Sequence, residues 1–261
     1  MAYEFENIKC TVEDHVASIV IDAQPMNLLS TPMLRDLESL MTEMESDRNI
    51  WVAIVTGAGS KAFCAGADVG ELTDPTIDQL EASDVWARNV LTRFSNLPFP
   101  VIAAINGYAL GGGFELCLAC DVRIASSNAK VGMVETRIGL IAGWGGSQRF
   151  VRLVGPGVAK KLMFTSEKIM AETALEYGLV QEVVESDQLM DAAYALAEKM
   201  KACSPVANAL TKRAINAYLN QGIMEGLDLE RKLDREAYLS DDSKEGMSAF
   251  EERRKPVWSN K

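Results

Sequence analysis

The apolar positions change period twice within the first sixty residues. Segments 8–12 and 16–21 have strand-like patterning and flank the polar Glu13-Asp14-His15, which predicts a hairpin with His15 at its turn. Ser30 or Thr31 can then cap a helix that opens with Pro32 near its first position. That helix carries Leu34, Leu37, Leu40, Met41 and Met44 on one face. Segment 51–56 (WVAIVT) is an unbroken apolar run of strand length, as expected for a strand buried on both faces.

The same alternation continues. A long helix is predicted over 76–96, ending before Pro98 and Pro100, then a buried strand over 101–105. The glycine-rich 106–113 leads into a helix over 114–119 and a strand over 121–125. From Gly145 the pattern is mostly helical: 146–153, 158–164 and 171–178, then a short strand over 180–184. After Ser186 three or four amphipathic helices follow, with no further strand. Strand–helix alternation giving way to helices predicts an α/β core with a helical C-terminal region.

Composition narrows the function classes. The 261 residues are 48% hydrophobic and 24% charged, ordinary for a soluble globular protein long enough to bury a sizeable core. A net charge of −11 argues against nonspecific nucleic-acid or anionic-membrane binding. The five cysteines (Cys10, Cys64, Cys117, Cys120, Cys203) are odd in number and scattered, which fits reduced thiols in a cytoplasmic setting. Cys117 and Cys120 form a C-x-x-C inside an apolar helical run, and His15 is the only histidine, so no metal site is expected. The first ten residues lack the basic and apolar blocks of a signal peptide, and no window approaches a membrane span.

Two glycine-rich loops each follow a buried strand: Ala65-Gly66-Ala67-Asp68, and Leu110 through Gly113. Small residues there allow a ligand oxygen to reach main-chain N–H groups, although close helix–strand packing also demands glycine. The glycine run lacks the Gly-Lys-Ser/Thr of a P-loop and the acidic partner of a dinucleotide fingerprint. Glu115 stands two residues past the last glycine, among Phe114, Leu116, Cys117 and Leu118, where a carboxylate is costly to bury without a purpose. Glu135 precedes a second apolar and glycine-rich stretch, 138–146. Two carboxylates bordering one cleft can hold a water between them and take opposite protonation states. The alternative, two solvated surface glutamates, stays open for Glu135 above all.

The stretches KAFCAGADVGEL (61–72), AAINGYALGGGFELCLACDVRIAS (103–126) and VGMVETRIGLIAGWGGSQRFVRLVG (131–155) resemble the enoyl-CoA hydratase/isomerase family, the crotonases. AETALEYGLVQEVV and the terminal EGMSAFEERRKP continue the likeness, which covers nearly the whole chain. The resemblance implies a spiral of repeated ββα units over 1–200 holding the active site, and a helical region over 201–261 that packs neighbours into a homotrimer or a dimer of trimers. It implies main-chain donors from Ala67 and Gly112 aimed at the oxygen of an acyl-CoA thioester. Glu115 and Glu135 are implied as the acid–base pair, with either able to be base or acid. Ala65, Asp68 and Lys61 become candidate contacts to the CoA portion, which enters as part of the substrate, with no separate cofactor.

Simple enoyl-CoA isomerases of this family rely mainly on one carboxylate. Two glutamates therefore favour an enoyl-CoA hydratase, acting on a short or compact acyl group, over an isomerase or another crotonase-type reaction. A non-catalytic, RNA-binding relative fits the acidic charge poorly. The chain departs from the family pattern at Met133-Val134, where Gln-Pro often stands. Gly70 and the loop 22–27 also lack the usual basic residue, leaving Lys61 or Lys255 to meet the CoA phosphates. Trp144 could close one end of the acyl pocket or simply pack.

Overall fold

The computed structural model describes residues 1–72 and 75–261. The chain opens with β1 (Ala2–Glu4), β2 (Ile8–Glu13) and β3 (Val16–Ile21), an antiparallel meander, followed by α1 (Thr31–Ser46). Three turns of one unit come next: β4 (Val52–Gly57), β5 (Ala62–Cys64) and α2 (Ile77–Ser95); β6 (Val101–Ile105), β7 (Tyr108–Leu110) and α3 (Gly112–Ala119); β8 (Val122–Ser126), β9 (Lys130–Gly132) and α4 (Gly146–Thr165). Then follow β10 (Ile169–Met170), α5 (Ala171–Glu176), β11 (Glu182–Val184), α6 (Leu189–Lys201), α7 (Pro205–Asn220), α8 (Ile223–Leu239) and α9 (Asp241–Glu252).

The first strand of each unit joins one sheet and the second joins another, which winds the chain into the expected ββα spiral. The larger sheet runs β1-β2-β3-β4-β6-β8-β11, parallel from β3 onward. The smaller runs β10-β9-β7-β5, parallel except at β10. Apolar runs such as 51–56 are continuous because the larger sheet is covered on both faces. Ala53, Val55, Ala103 and Ile105 point into the main core, whereas Val52, Ile54, Ile102 and Ala104 pack under Leu189, Ala193 and Ala197 of α6.

Local chemistry sets the helix starts. Ser30, rather than Thr31, caps α1 by accepting the Met33 N–H, while Thr31 Oγ1 donates to Glu71 Oε2 at 2.7 Å. Thr76 and Gln79 form a reciprocal capping box at α2. The two helices expected over 146–153 and 158–164 are both present within α4, meeting at the non-helical Gly155 (φ 72°, ψ 165°), just before Pro156. The expected strand over 180–184 shortens to Glu182–Val184. Strands β5, β7, β9 and β10 were not legible in the sequence: each has two or three residues and no period of its own.

α7 is fastened to the core by Lys212, whose Nζ donates to Asp121 Oδ2 at 2.7 Å and to the Phe99 carbonyl at 2.9 Å. Asp121 Oδ2 also accepts the Val101 N–H that opens β6. Outward, α7–α9 expose large apolar side chains, among them Ile215, Tyr218, Leu227, Tyr238 and Phe250. Among the described residues no helix is long and apolar enough to cross a membrane.

Candidate active site

Both glycine-rich loops leave the smaller sheet at the same end and meet. Leu29 forms an isolated parallel bridge with Ala67: its N–H donates to Gly66 O at 2.9 Å and its carbonyl accepts from Asp68 N at 3.2 Å. The groups on either side of Ala67 are thereby satisfied. Among the described residues, neither the Ala67 N–H nor the Gly112 N–H has an acceptor within the chain. Gly112 opens α3, where first-turn N–H groups lack helical partners. The two positions are adjacent, since a Cβ built on Gly112 would lie 3.3 Å from Ala67 N.

The glycine run serves packing and access at different positions. A Cβ on Gly113 would lie 2.1 Å from the Cys64 carbonyl, so this glycine lets α3 press against the end of β5. Gly111 has φ 51° and ψ −129°, a backbone that L side chains rarely adopt. A Cβ on Gly112 would instead meet the Trp144 ring and the Ala67 N–H.

Glu115 is 2% exposed on the first turn of α3. Its Oε1 accepts two main-chain N–H bonds, from Trp144 at 2.9 Å and Gly146 at 2.6 Å. Burial pushes its carboxyl up to about 7; the charge of Glu135 adds to the rise, and the two N–H donors and Arg149 oppose it. Glu135 starts the short 3-10 turn Glu135–Ile138 and is half-buried. Burial raises its pKa too, and its Oε1, shielded from solvent, has no hydrogen-bond partner among the described residues. That oxygen looks onto the Gly111 turn, where a Cβ would stand 3.3 Å away. Both glutamates therefore border the rim of the same cradle as the two donors. Met133, where Gln often stands in the family, is 2% exposed and packs near Gly146 and Glu115, which deepens the desolvation.

The other candidates divide by distance from this centre. Ala65 N is tied to Met26 O at 3.0 Å, and Asp68 Oδ1 accepts the Gly70 N–H at 3.0 Å, so both shape the loop around Ala67. Lys61 is exposed at the far end of β5, roughly 13 Å of extended chain from Ala65. The structure does not bring Lys61 to the glutamates. Lys255 is exposed in the C-terminal tail.

Trp144 lies against the donor pair. A Cβ on Gly112 would lie 2.9 Å from its ring, and its indole N–H donates to Asp84 Oδ1 of α2 at 3.3 Å. Beside that bond runs a groove of about 410 Å³ lined by Ile77, Leu80, Asp84, Val85, Arg88 and Gly143. Asp84 and Arg149 were missed from sequence. Asp84 reads as a surface charge on α2; the one signal for Arg149 is a cation placed just after the turn that faces Glu115.

Known proteins resemble the chain along nearly its whole length. The family described as enoyl-CoA hydratase/isomerase matches residues 11–261. A short-chain-enoyl-CoA hydratase of Clostridium acetobutylicum is 40% identical over 253 residues, 97% of each chain. A crotonyl-CoA hydratase of Syntrophomonas wolfei is 36% identical over 262 residues, all of both chains. The crystal structure of an enoyl-CoA hydratase from Bacillus anthracis superposes with a TM-score of 0.93 at 40% identity, over 98% of this chain and 100% of that one.

Proposed function

The chain belongs to the enoyl-CoA hydratase/isomerase family, and from that premise we propose that it reversibly adds water across the 2,3 double bond of a short or compact 2-enoyl-CoA. The thioester oxygen sits between the Ala67 and Gly112 N–H groups, and Glu115 and Glu135 hold the attacking water. The water oxygen bonds to Cβ, and the π electrons of the double bond move onto the thioester as an enolate. One carboxylate takes the proton the water gives up, and the other carboxyl group delivers a proton to Cα. The pair carries one proton between them and titrates jointly. Each main-chain donor strengthens its bond as the oxygen gains charge, and each is worth about 3–4 kcal/mol on the scale of other oxyanion holes. Coenzyme A enters as part of the substrate, and its contacts come from the Ala65–Asp68 loop and exposed cations such as Lys61.

The observation that carries this reading is the pairing of two buried-edge carboxyl groups with two unsatisfied main-chain donors at one cradle. An isomerase needs the donors but only one such carboxyl. The exposed apolar face of α7–α9 supports a homotrimer or dimer of trimers built through 201–261, and the buried free thiols support a reducing, cytoplasmic location.

The test follows loss of the conjugated thioester absorbance with aliphatic and cyclic enoyl-CoA esters. Wild type should hydrate at least one ester, and Glu115→Gln and Glu135→Gln should each lose on the order of a hundredfold or more in kcat. An inert wild type, or a Glu115→Gln variant still hydrating at wild-type rate, overturns the proposal.

A further inference from the structure

Arg149 lies on the first turn of α4, outside the cradle, and the reaction as written does not use it. Its Nη1 donates to the Trp144 carbonyl at 3.0 Å, and its Nη2 donates to Thr92 Oγ1 of α2 at 3.3 Å. Its own N–H bonds to Gly145 O at 2.9 Å. The guanidinium also occupies the space a side chain at Gly145 would need: a Cβ there would stand 2.4 Å from Nη1 and 3.0 Å from Cζ. Gly145 accepts that approach because it has no Cβ, and its φ of 103° is also one that L side chains rarely adopt. The turn Trp144-Gly145-Gly146 is thus clasped from two sides. Trp144 gives its N–H to Glu115 and its carbonyl to Arg149, and Gly146 gives its N–H to Glu115.

The geometry points to Arg149 as a positioning residue: it fixes the turn whose two N–H groups aim Glu115 and places a positive charge behind that carboxyl, without touching substrate. This role rests on the hydratase reading. The coupling is mutual, since Arg149 lowers the Glu115 carboxyl while Glu115 counters the burial that lowers Arg149. The other charged or titratable groups around the pair are Glu135 beside Glu115, Arg152 and the Cys120 thiol near Arg149, and Asp84 at the Trp144 indole. On α2, Arg93 is engaged with Glu45 and adds no free charge at the turn. A guanidinium is suited to this place because its planar fork can reach two acceptors at once while staying charged.

The two contributions separate by substitution. Arg149→Met removes fork and charge, Arg149→Lys keeps the charge, and Thr92→Val loosens one arm of the fork. We expect Arg149→Met to lose about 10- to 100-fold in kcat with little change in KM, as misaimed catalytic groups do. Its Glu115 limb in the pH profile should move to higher pH. Arg149→Lys should keep that limb near wild type while kcat stays reduced, and Thr92→Val should show a smaller kcat loss with an unmoved limb. Difference infrared titration of the Glu115 carboxyl, assigned with Glu115→Gln, reads the same shift without turnover. A wild type that hydrates nothing ends the hydratase reading alone, and the carboxyl titration then still decides the coupling. If that titration and the pH profile are unchanged in Arg149→Met, or if kcat is unchanged in both folded Arg149 variants, the positioning role is overturned. Should Arg149→Met not fold, Arg149→Lys and Thr92→Val carry the decision through kcat.

Discussion

The Gly146 N–H donates to Glu115 Oε1 at 2.6 Å, and a Cβ on Gly146 would stand 2.7 Å from that same oxygen. One residue therefore supplies a donor to the carboxyl and, by lacking a side chain, the space in which the carboxyl sits. Met133 Cε borders the same space, 2.9 Å from that Cβ.

Gly146→Ala should displace Glu115 rather than merely crowd it. The added methyl would meet Glu115 Cγ and Oε1 at 2.7 Å and Met133 Cε at 2.9 Å. We expect hydration to fall about a hundredfold, the scale of an ångström-sized displacement of a reacting group. Circular dichroism should remain native, and steady-state kinetics on a four-carbon enoyl-CoA measures the loss.

Glu115 also links stability to pH. Its carboxyl titrates near 4.5 in an exposed chain and about 7 in the fold. The folded state therefore takes up a proton between these values. The carboxyl's favourable contribution is complete below 4.5 and is lost as pH rises through about 7. The full span is on the order of 3 kcal/mol. Glu115→Gln keeps an oxygen to accept both N–H bonds but cannot ionise, so its melting temperature should gain on wild type at pH 8 more than at pH 5. Glu135, also raised by burial, leaves a residual slope of the same sign. Parallel melting curves for the two proteins across that range would count against the assignment.

How far the sequence could be read depended on whether a residue's partners were local. β4, β6 and α1 were legible because WVAIVT, the run over 101–105 and the Leu34–Met44 spacing each carry their own period. β7 and β9 were not, because Tyr108–Leu110 and Lys130–Gly132 become strands only through hydrogen bonds to each other and to β5 and β10. Glu115 stood out as a charge in an apolar run, and burial explains that contrast. Glu135 stayed ambiguous because its neighbours Thr136 and Arg137 are exposed, while its Oε1 is shielded by the Gly111 turn from another unit of the spiral. Arg149 was missed for the same reason: its purpose lies in Trp144 and Thr92, and only the fold brings Thr92 to it.

Lys212 should be a stability residue with little say in chemistry. It is 7% exposed, and its removal would leave the Phe99 carbonyl and part of Asp121 without a donor at the point where α7 meets β6. Breaking one partner of such a buried pair costs about 3–5 kcal/mol when fully desolvated. Asp121 retains some exposure and the Val101 N–H, so Lys212→Met should cost somewhat less, read as a lower denaturant midpoint with kcat retained below the transition.

Neighbouring glycines should separate folding from catalysis. Gly113→Ala would drive a methyl to 2.1 Å from the Cys64 carbonyl, a backbone collision that cannot relax by a rotamer change, so thermal stability should fall sharply. Gly112→Val meets a side-chain ring, that of Trp144, and the Ala67 N–H rather than a packed main-chain carbonyl, so it should fold and lose hydration by about a hundredfold or more through a blocked donor pair. Melting curves beside kcat for each variant test the division. Equal damage to both properties in both variants would mean that Gly112 is also a packing glycine.

Trp144 should set acyl length. Its ring spans from Gly112 to Asp84, so it stands between the Ala67 and Gly112 N–H pair and the groove lined by Ile77, Leu80 and Val85. A chain longer than a few carbons would have to displace an indole pinned through its N–H to α2 and through its main chain to Glu115 and Arg149. Trp144→Ala should join cradle and groove, and the ratio of kcat/KM for a ten-carbon over a four-carbon 2-enoyl-CoA should rise by about tenfold or more, since each buried methylene can be worth that much discrimination. Trp144→Phe keeps a ring but gives up the Asp84 bond, so it should fall between the two. The main-chain bonds of Trp144 persist in both variants, which keeps Glu115 in place and lets the four-carbon rate act as the internal control. An unchanged ratio in Trp144→Ala would place the acyl end elsewhere and leave the indole as packing.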